Sequence, residues 1–147
     1  MELQQKSDFI SYYIRKCNKI IHEKGHEIAQ EYGLTYDQHH LLIYLNKLER
    51  APTIKDISNK FNRAQNTISE KVSRLEEKGL VEKCVDTEDR RITRVCITRK
   101  GKDLVNTIKQ ERSNRVVYKA LEKMREEDVN ELLNNLSKLH DILTKEG

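Results

Sequence analysis

The chain has no tryptophan, one proline and only five glycines in 147 residues. These scarcities argue against a Gly-rich β-sandwich and against a dinucleotide-binding α/β enzyme. The three cysteines, Cys17, Cys84 and Cys96, are too few and too widely spaced for a disulfide framework. No CxxC pair offers a thiolate zinc knuckle. No apolar run approaches the roughly 20 residues that cross a bilayer. Residues 1–5 lack the basic start and apolar stretch of a secretory signal. The expectation is therefore a cytoplasmic protein with no membrane partner. No Walker-type loop, GxGxxG or GxSxG motif occurs, and an enzyme is not expected.

What is present is charge. Charged residues make up 35% of the chain and apolar residues 36%, with 28 Lys and Arg against 24 Asp and Glu. Long solvated helices fit this balance, and the length fits one domain with a core of its own. A surplus of four positive charges permits a nucleic-acid partner without requiring one.

Apolar residues recur at helical spacing from 9 to 28 (Phe9, Ile10, Tyr13, Ile14, Cys17, Ile20, Ile21, Ile28), predicting a first amphipathic helix. Thr35 and Gln38 stand at capping-box spacing before Leu41, Leu42, Leu45 and Leu48, a second helix. Pro52 and Thr53, with Asp56, mark the next boundary. A short helix from 54 to about 61 follows. After a break near Asn62 comes another from 65 to 78, closed by Gly79. The period then shortens: residues 80–85 and 92–97 read as two antiparallel strands around a charged turn at 86–91, with 98–101 closing the ribbon. A long helix from 102 to about 124, sparse in apolar residues between 109 and 115, and a last helix from 126 to 143 complete the chain.

Two helices, a short turn and then a ribbon with a charged tip describe a winged helix-turn-helix. The fold class expected is mainly α with a small β wing, flanked by N- and C-terminal helices. A helix fits the major groove of B-form DNA, where each base pair has its own donor and acceptor pattern. Gln65, Asn66, Thr67, Ser69 and Glu70 supply polar groups near the start of the second helix of the motif. Lys71 and Arg74 add charge suited to phosphates. Arg90 and Arg91 lie at the ribbon tip, and a guanidinium suits the negative potential of a narrow minor groove. Between residues 82 and 102 the chain carries seven basic residues against four acidic ones.

These stretches resemble the MarR family of transcription regulators. The likeness rests on Asp56-Ile57-Ser58, Phe61, Thr67-Ile68-Ser69, the run from Val72 to Val81, and the wing from Asp86 to Arg91 continuing through Ile97-Thr98-Arg99-Lys100-Gly101. It also covers Leu34-Thr35, Gln38 and the last helix. The resemblance implies a homodimer with residues 35–101 as the DNA-binding part and residues 1–34 and 102–147 as the dimerisation part of one 1–147 domain. It implies that 65–71 enter the major groove, that Arg91 reaches the minor groove, and that Asp89 orients it. Arg63 stands where the family usually has an apolar residue, and Ala64 where it has a Ser or Asp cap. The implied function is a repressor of a pseudo-palindromic operator on double-stranded DNA, released by a small ligand or oxidant. The alternative is a winged-helix interaction protein whose basic ribbon meets another acidic partner.

For control, the resemblance implies a small aromatic or lipophilic effector, with Tyr13, Tyr36, His40 and Tyr44 as lining residues. Cys17 is the residue considered for redox control, against the plainer reading of a buried, unreactive thiol. Cys84 and Cys96 lie on opposite strands, where they could face one another, and are read as small core fillers. His22 with His26, and His39 with His40, have spacings that suit zinc, but packing is the preferred reading, and neither metal nor cofactor is expected.

Overall fold

The structure, a computed structural model, describes residues 1–146; Gly147, the last residue of the 102–147 region, lies outside the described residues. The elements are α1 (Leu3–Glu31), α2 (Tyr36–Lys47), α3 (Ile54–Phe61), α4 (Gln65–Glu77), β1 (Val81–Val85), β2 (Thr93–Ile97) and α5 (Arg99–Arg112). A π-helical stretch (Ser113–Tyr118), α6 (Lys119–Leu121) and α7 (Glu126–Glu146) follow. The fold is mainly helical with a two-stranded wing, flanked by N- and C-terminal helices, as the sequence led us to expect.

Local chemistry sets the starts of α2 and α3. The Thr35 hydroxyl accepts from the Gln38 amide at 3.2 Å, and the Gln38 side chain accepts from the Thr35 amide at 3.1 Å. Thr53 and Asp56 repeat the exchange at 3.1 and 3.0 Å. Each box satisfies two amides that the first turn leaves free. Asn62 ends α3 with φ at 53° in the left-handed region, where a short polar side chain is tolerated. The Ser58 hydroxyl then donates to the Arg63 carbonyl and secures the turn into α4.

Helix α4 opens on Ala64, which offers no side-chain acceptor. Ala64→Ser is expected to raise stability by about 1 kcal/mol, since serine could accept from a free amide of the first turn. Denaturant midpoints at fixed protein concentration would check this. An unchanged midpoint would contradict it.

One core gathers Ile57, Ile68, Val72 and Leu75 of the helical pair with Leu41, Leu42 and Leu45 of α2, Val81 and Val95 of the ribbon, Val105 and Ile108 of α5, and Ile28 and Ala29 near the end of α1. Burying each larger aliphatic side chain contributes roughly 1.5–3 kcal/mol. The ribbon pairs Val81 with Ile97 and Val85 with Thr93. Its base is held to the α2–α3 linker by the Val95 amide, which donates to the Pro52 carbonyl at 2.8 Å.

The boundaries differ from expectation at three places. Helix α1 covers Leu3–Glu31 rather than 9–28. Thr98 closes the ribbon, its amide donating to the Leu80 carbonyl at 3.0 Å, but it also caps α5, its hydroxyl accepting from the Gly101 amide at 3.1 Å, so that helix starts at Arg99 rather than 102. The long helix is not uniform, for the apolar-poor stretch runs into the π-helical turn at 113–118. The ends of the molecule also stand apart from the core. In α1 the buried residues are Gly25, His26, Ile28 and Ala29, and α7 has none.

Candidate nucleic-acid interface

Helix α4 presents Ile68, Val72 and Leu75 to the core and leaves Gln65, Asn66, Ser69, Glu70 and Arg74 exposed, with Thr67 half-buried. Two cations are already engaged. Arg74 meets Glu70 at 3.2 Å one turn away. Lys71 is not a free phosphate ligand in this state: its ammonium donates to Asp37 of α2 at 2.8 Å and is only 27% exposed. That hydrogen bond holds the Asp37 carboxyl below its ordinary value. The open end of α4 is therefore nearly neutral and rich in short polar groups, which suits base edges better than phosphates.

The wing has a more definite geometry. The Arg91 guanidinium donates through Nε to Asp89 Oδ1 at 3.1 Å and through Nη2 to Oδ2 at 3.0 Å. The Arg91 amide donates to the same carboxylate at 3.0 Å. These bonds lower the Asp89 carboxyl and raise the Arg91 guanidinium from their ordinary values. The Arg91 side chain nevertheless remains 90% exposed. Arg90 is exposed beside it.

Asp86, which sequence reasoning treated only as a member of the turn, anchors the wing. It accepts from the amides of Glu88 and Asp89 at 3.2 and 3.0 Å and from Arg94 Nε at 2.8 Å. Arg94 donates in turn to the Ala51 carbonyl at 2.8 Å. The tip is thus tied through Asp86 and Arg94 to the segment before α3. In the register Arg94 lies opposite Cys84, one step inside the Val85–Thr93 pair that ends the ladder, so its side chain reaches Asp86 across the start of the turn.

Of the residues expected to line an effector pocket, three come together. Tyr36 and His40 have ring centroids 5.8 Å apart, and His40 and Tyr44 flank Phe61 at 5.2 and 5.3 Å. Tyr13 does not join them; it lies on the exposed half of α1 and packs edge-on against Tyr12. A small open cleft between α2, α3 and α4 is lined by Asp37, His40, Phe61, Arg63 and Lys71 among others.

The cysteine expectations need correction. Cys17 is exposed, not buried, because among the described residues no element covers the part of the α1 apolar stripe that carries it. Cys84 and Cys96 are half-buried and not directly opposed: the register sets Cys84 against Arg94 and Cys96 against Glu82. They are diagonal neighbours, and desolvation together with Cys96 pushes the Cys84 thiol up to about 12.

The histidines form one group. His26 Nε2 lies 3.2 Å from His22 Nε2, and His26 Nδ1 lies 2.8 Å from His39 Nδ1. A neutral His26 donates through one nitrogen and accepts through the other. Burial, with neighbouring imidazoles and Arg112 adding to it, lowers His26 and His39 to about 4. The one-turn spacing of His22 and His26 was legible in the sequence; that residues 22–26 spell His-Glu-Lys-Gly-His, an HExxH pattern, was missed.

A capped helix joined by a tight turn to a second helix with an exposed polar start, and a ribbon with an arginine at its tip, define a winged helix-turn-helix protein of the transcription-regulator class. The sequence model of the MarR family matches residues 34–93. The chain is 30% identical over 100 residues to the HTH-type transcriptional regulator BilQ of Clostridioides difficile, covering 68% of this chain and 67% of BilQ. It is 30% identical over 95 residues to YsmB, an uncharacterised HTH-type transcriptional regulator of Bacillus subtilis, covering 65% of this chain and 64% of YsmB. The matched part thus spans about two-thirds of these relatives' length. Among solved structures, the transcriptional regulator Tm0710 of Thermotoga maritima superposes with a TM-score of 0.86 at 22% identity, covering 94% of this chain and 96% of that one. A mutant of MepR from S. aureus, bound to an oligodeoxyribonucleotide, superposes with a TM-score of 0.68 at 25% identity, covering 91% and 97%. The chain belongs to the MarR family. Membership assigns it to DNA-binding regulators of transcription and not to enzymes. Among the described residues, no helix is long and apolar enough to cross a membrane.

Proposed function

We propose that the protein is a homodimeric repressor that binds a pseudo-palindromic operator in the cytoplasm and leaves it when a small ligand or oxidant binds or reacts. Residues 35–101 read DNA, and residues 1–34 and 102–147 build the dimer. Gln65, Asn66, Thr67, Ser69 and Glu70 meet the major groove. Lys71 and Arg74 join them by exchanging Asp37 and Glu70 for phosphate, and Arg90 and Arg91 enter the flanking minor groove. The observation that carries this reading is the Asp89–Arg91 fork: a guanidinium fixed in direction by its own neighbour, yet 90% exposed. A fork oriented before docking loses less side-chain freedom on binding.

The dimer is supported by what the chain leaves uncovered. Phe9, Ile10 and Tyr13 of α1 are 53%, 53% and 61% exposed, and Leu133 and Leu143 of α7 are 70% and 61% exposed. Long helices gain most of their stability by packing an apolar face, and here that face is open. Two-fold symmetry would set the recognition helices about 34–36 Å apart, one DNA turn. The effector of this reading is aromatic or lipophilic and binds beside Tyr36, His40 and Tyr44, which gather with Phe61; Tyr13 lies apart from them on α1. Cys17 is open to oxidants in the single chain.

The test is selection of bound sequences from a random DNA pool at near-physiological salt. The expected result is a pseudo-palindrome with half-sites one turn apart. Featureless binding abolished by moderate salt would overturn the reading in favour of a generic basic surface.

A further inference from the structure

We propose that Asp37 is an internal stand-in for a DNA phosphate: its carboxylate holds the Lys71 ammonium in the free protein, and DNA must displace it. The inference rests on the regulatory reading and deepens it, adding Asp37 and Arg63 of the α2–α4 cleft to the residues that set DNA affinity.

Lys71, Arg74 and Arg91 of the reading surface each have a carboxylate partner, but they are not held alike. The Arg74–Glu70 pair spans one turn of α4, with both side chains largely exposed. A pair of that kind is screened by salt and contributes little. Arg91 and Asp89 sit in one loop, and their fork leaves the guanidinium open to solvent. Lys71 is different. Its partner lies 34 residues away on another helix, at 2.8 Å, and its side chain is 27% exposed against 64% for Arg74. Salt ions reach such a pair less, so it persists where an exposed pair is screened. A lysine meets phosphate as a point charge, and a carboxylate in contact cancels most of that charge. While Asp37 holds Lys71, α4 therefore faces the DNA backbone with one cation fewer.

Asp37 keeps its place when Lys71 leaves. It stands in the first turn of α2, which the exchange between Thr35 and Gln38 fixes at 3.2 and 3.1 Å. The positive end of a helix favours a carboxylate there. Arg63 lines the same cleft and is exposed. The Lys71 hydrogen bond, and after it the charges of Lys71 and Arg63, hold the Asp37 carboxyl below its ordinary value. Arg63 is thus the cation left to Asp37 once Lys71 turns to a phosphate. This gives a use to an arginine at a position that the family usually fills with an apolar residue. The exchange needs no change of fold. Only the lysine side chain turns, and α4 keeps Ile68, Val72 and Leu75 in the core.

The test is a cycle of full-length proteins: wild type, Asp37→Asn, Lys71→Ala and the double variant. Each is titrated with the selected operator and with a non-operator duplex at several salt concentrations. Asp37→Asn should bind both duplexes roughly 3- to 10-fold more tightly than wild type, with circular dichroism unchanged. Its affinity should also fall more steeply with salt, the log–log slope growing by up to about 0.9, one phosphate contact. Lys71→Ala should weaken operator binding. In that background Asp37→Asn should change affinity by less than about twofold at near-physiological salt, because the carboxylate acts through the ammonium. Arg63→Ala should weaken operator binding about two- to threefold in the wild type and leave the Asp37→Asn protein unchanged. Weaker or unchanged binding by Asp37→Asn would make the pair a strut of α4 and overturn the proposal. An equal gain with and without Lys71 would overturn it too, reducing Asp37 to a general repulsion of DNA. An Arg63→Ala loss of the same size in both backgrounds would remove Arg63 from the exchange. Operator selection by the wild-type protein separates these failures from failure of the regulatory reading.

Discussion

Gly101→Ala is expected to destabilise the protein by about 3 kcal/mol, the upper range for forcing extra atoms into a packed site. Gly101 is buried in the first turn of α5, where a β-carbon would overlap the Leu80 carbonyl and sit 2.8 Å from Ile97 Cγ1. Neither neighbour has room to move. The Leu80 carbonyl accepts from the Thr98 amide at 3.0 Å, and the Thr98 hydroxyl donates to the Gly79 carbonyl at 2.7 Å. Gly79 is itself held at a φ of +76°, a backbone conformation that other residues adopt at a cost. A methyl group at 101 therefore pushes apart the α5 start, the end of β2 and the turn after α4 at one point. Urea unfolding at fixed protein concentration measures the effect, and constant concentration matters for a chain proposed to dimerise. A loss below about 1 kcal/mol would mean that α5 shifts freely and that this junction does not fix the wing.

The contrast between Gly101 and the helix caps explains which parts of the fold were legible. Thr35 with Gln38, and Thr53 with Asp56, act within four residues, so their spacing in the sequence is already the interaction. The start of α5 was misjudged because Thr98 to Gly101 reads equally as a ribbon closure. What decides the matter is close approach to Leu80, a neighbour only after folding. Lys71 and Asp37 are 34 residues apart, and His39 is 13 residues from His26, so neither pairing has a local pattern. Cys17 illustrates another limit. Its place on an apolar stripe predicts burial, but a stripe is buried only where something covers it, and none of the described residues covers it there. In the DNA-facing region the residue types were readable because solvent-facing polar groups interrupt a helix whose core positions, Ile68, Val72 and Leu75, are unambiguous. Which of those groups are free and which are already paired depends on α2.

Arg91→Ala is expected to weaken binding to the selected operator by roughly 10- to 100-fold, about 1.4–2.7 kcal/mol, with thermal unfolding unchanged. The side chain makes its bonds to Asp89 alone, so its removal leaves the core untouched. Asp89→Ala separates two contributions. It keeps the charge of Arg91 but releases the fork, and the cost is then the side-chain freedom that docking must remove, about 0.5–1.5 kcal/mol. The Asp89 carboxylate also repels phosphate, and its loss returns part of that cost at low salt. Asp89→Ala should accordingly weaken specific binding less than Arg91→Ala. Its relative deficit should grow as salt rises and screens the repulsion. In the double variant, losing Asp89 should add little to losing Arg91, because the carboxylate acts through the arginine. Equilibrium titrations of the four proteins at two salt concentrations make the comparison. Full additivity would assign Asp89 a role independent of Arg91. An Arg91→Ala protein with wild-type affinity would remove the wing from the reading surface and leave recognition to α4.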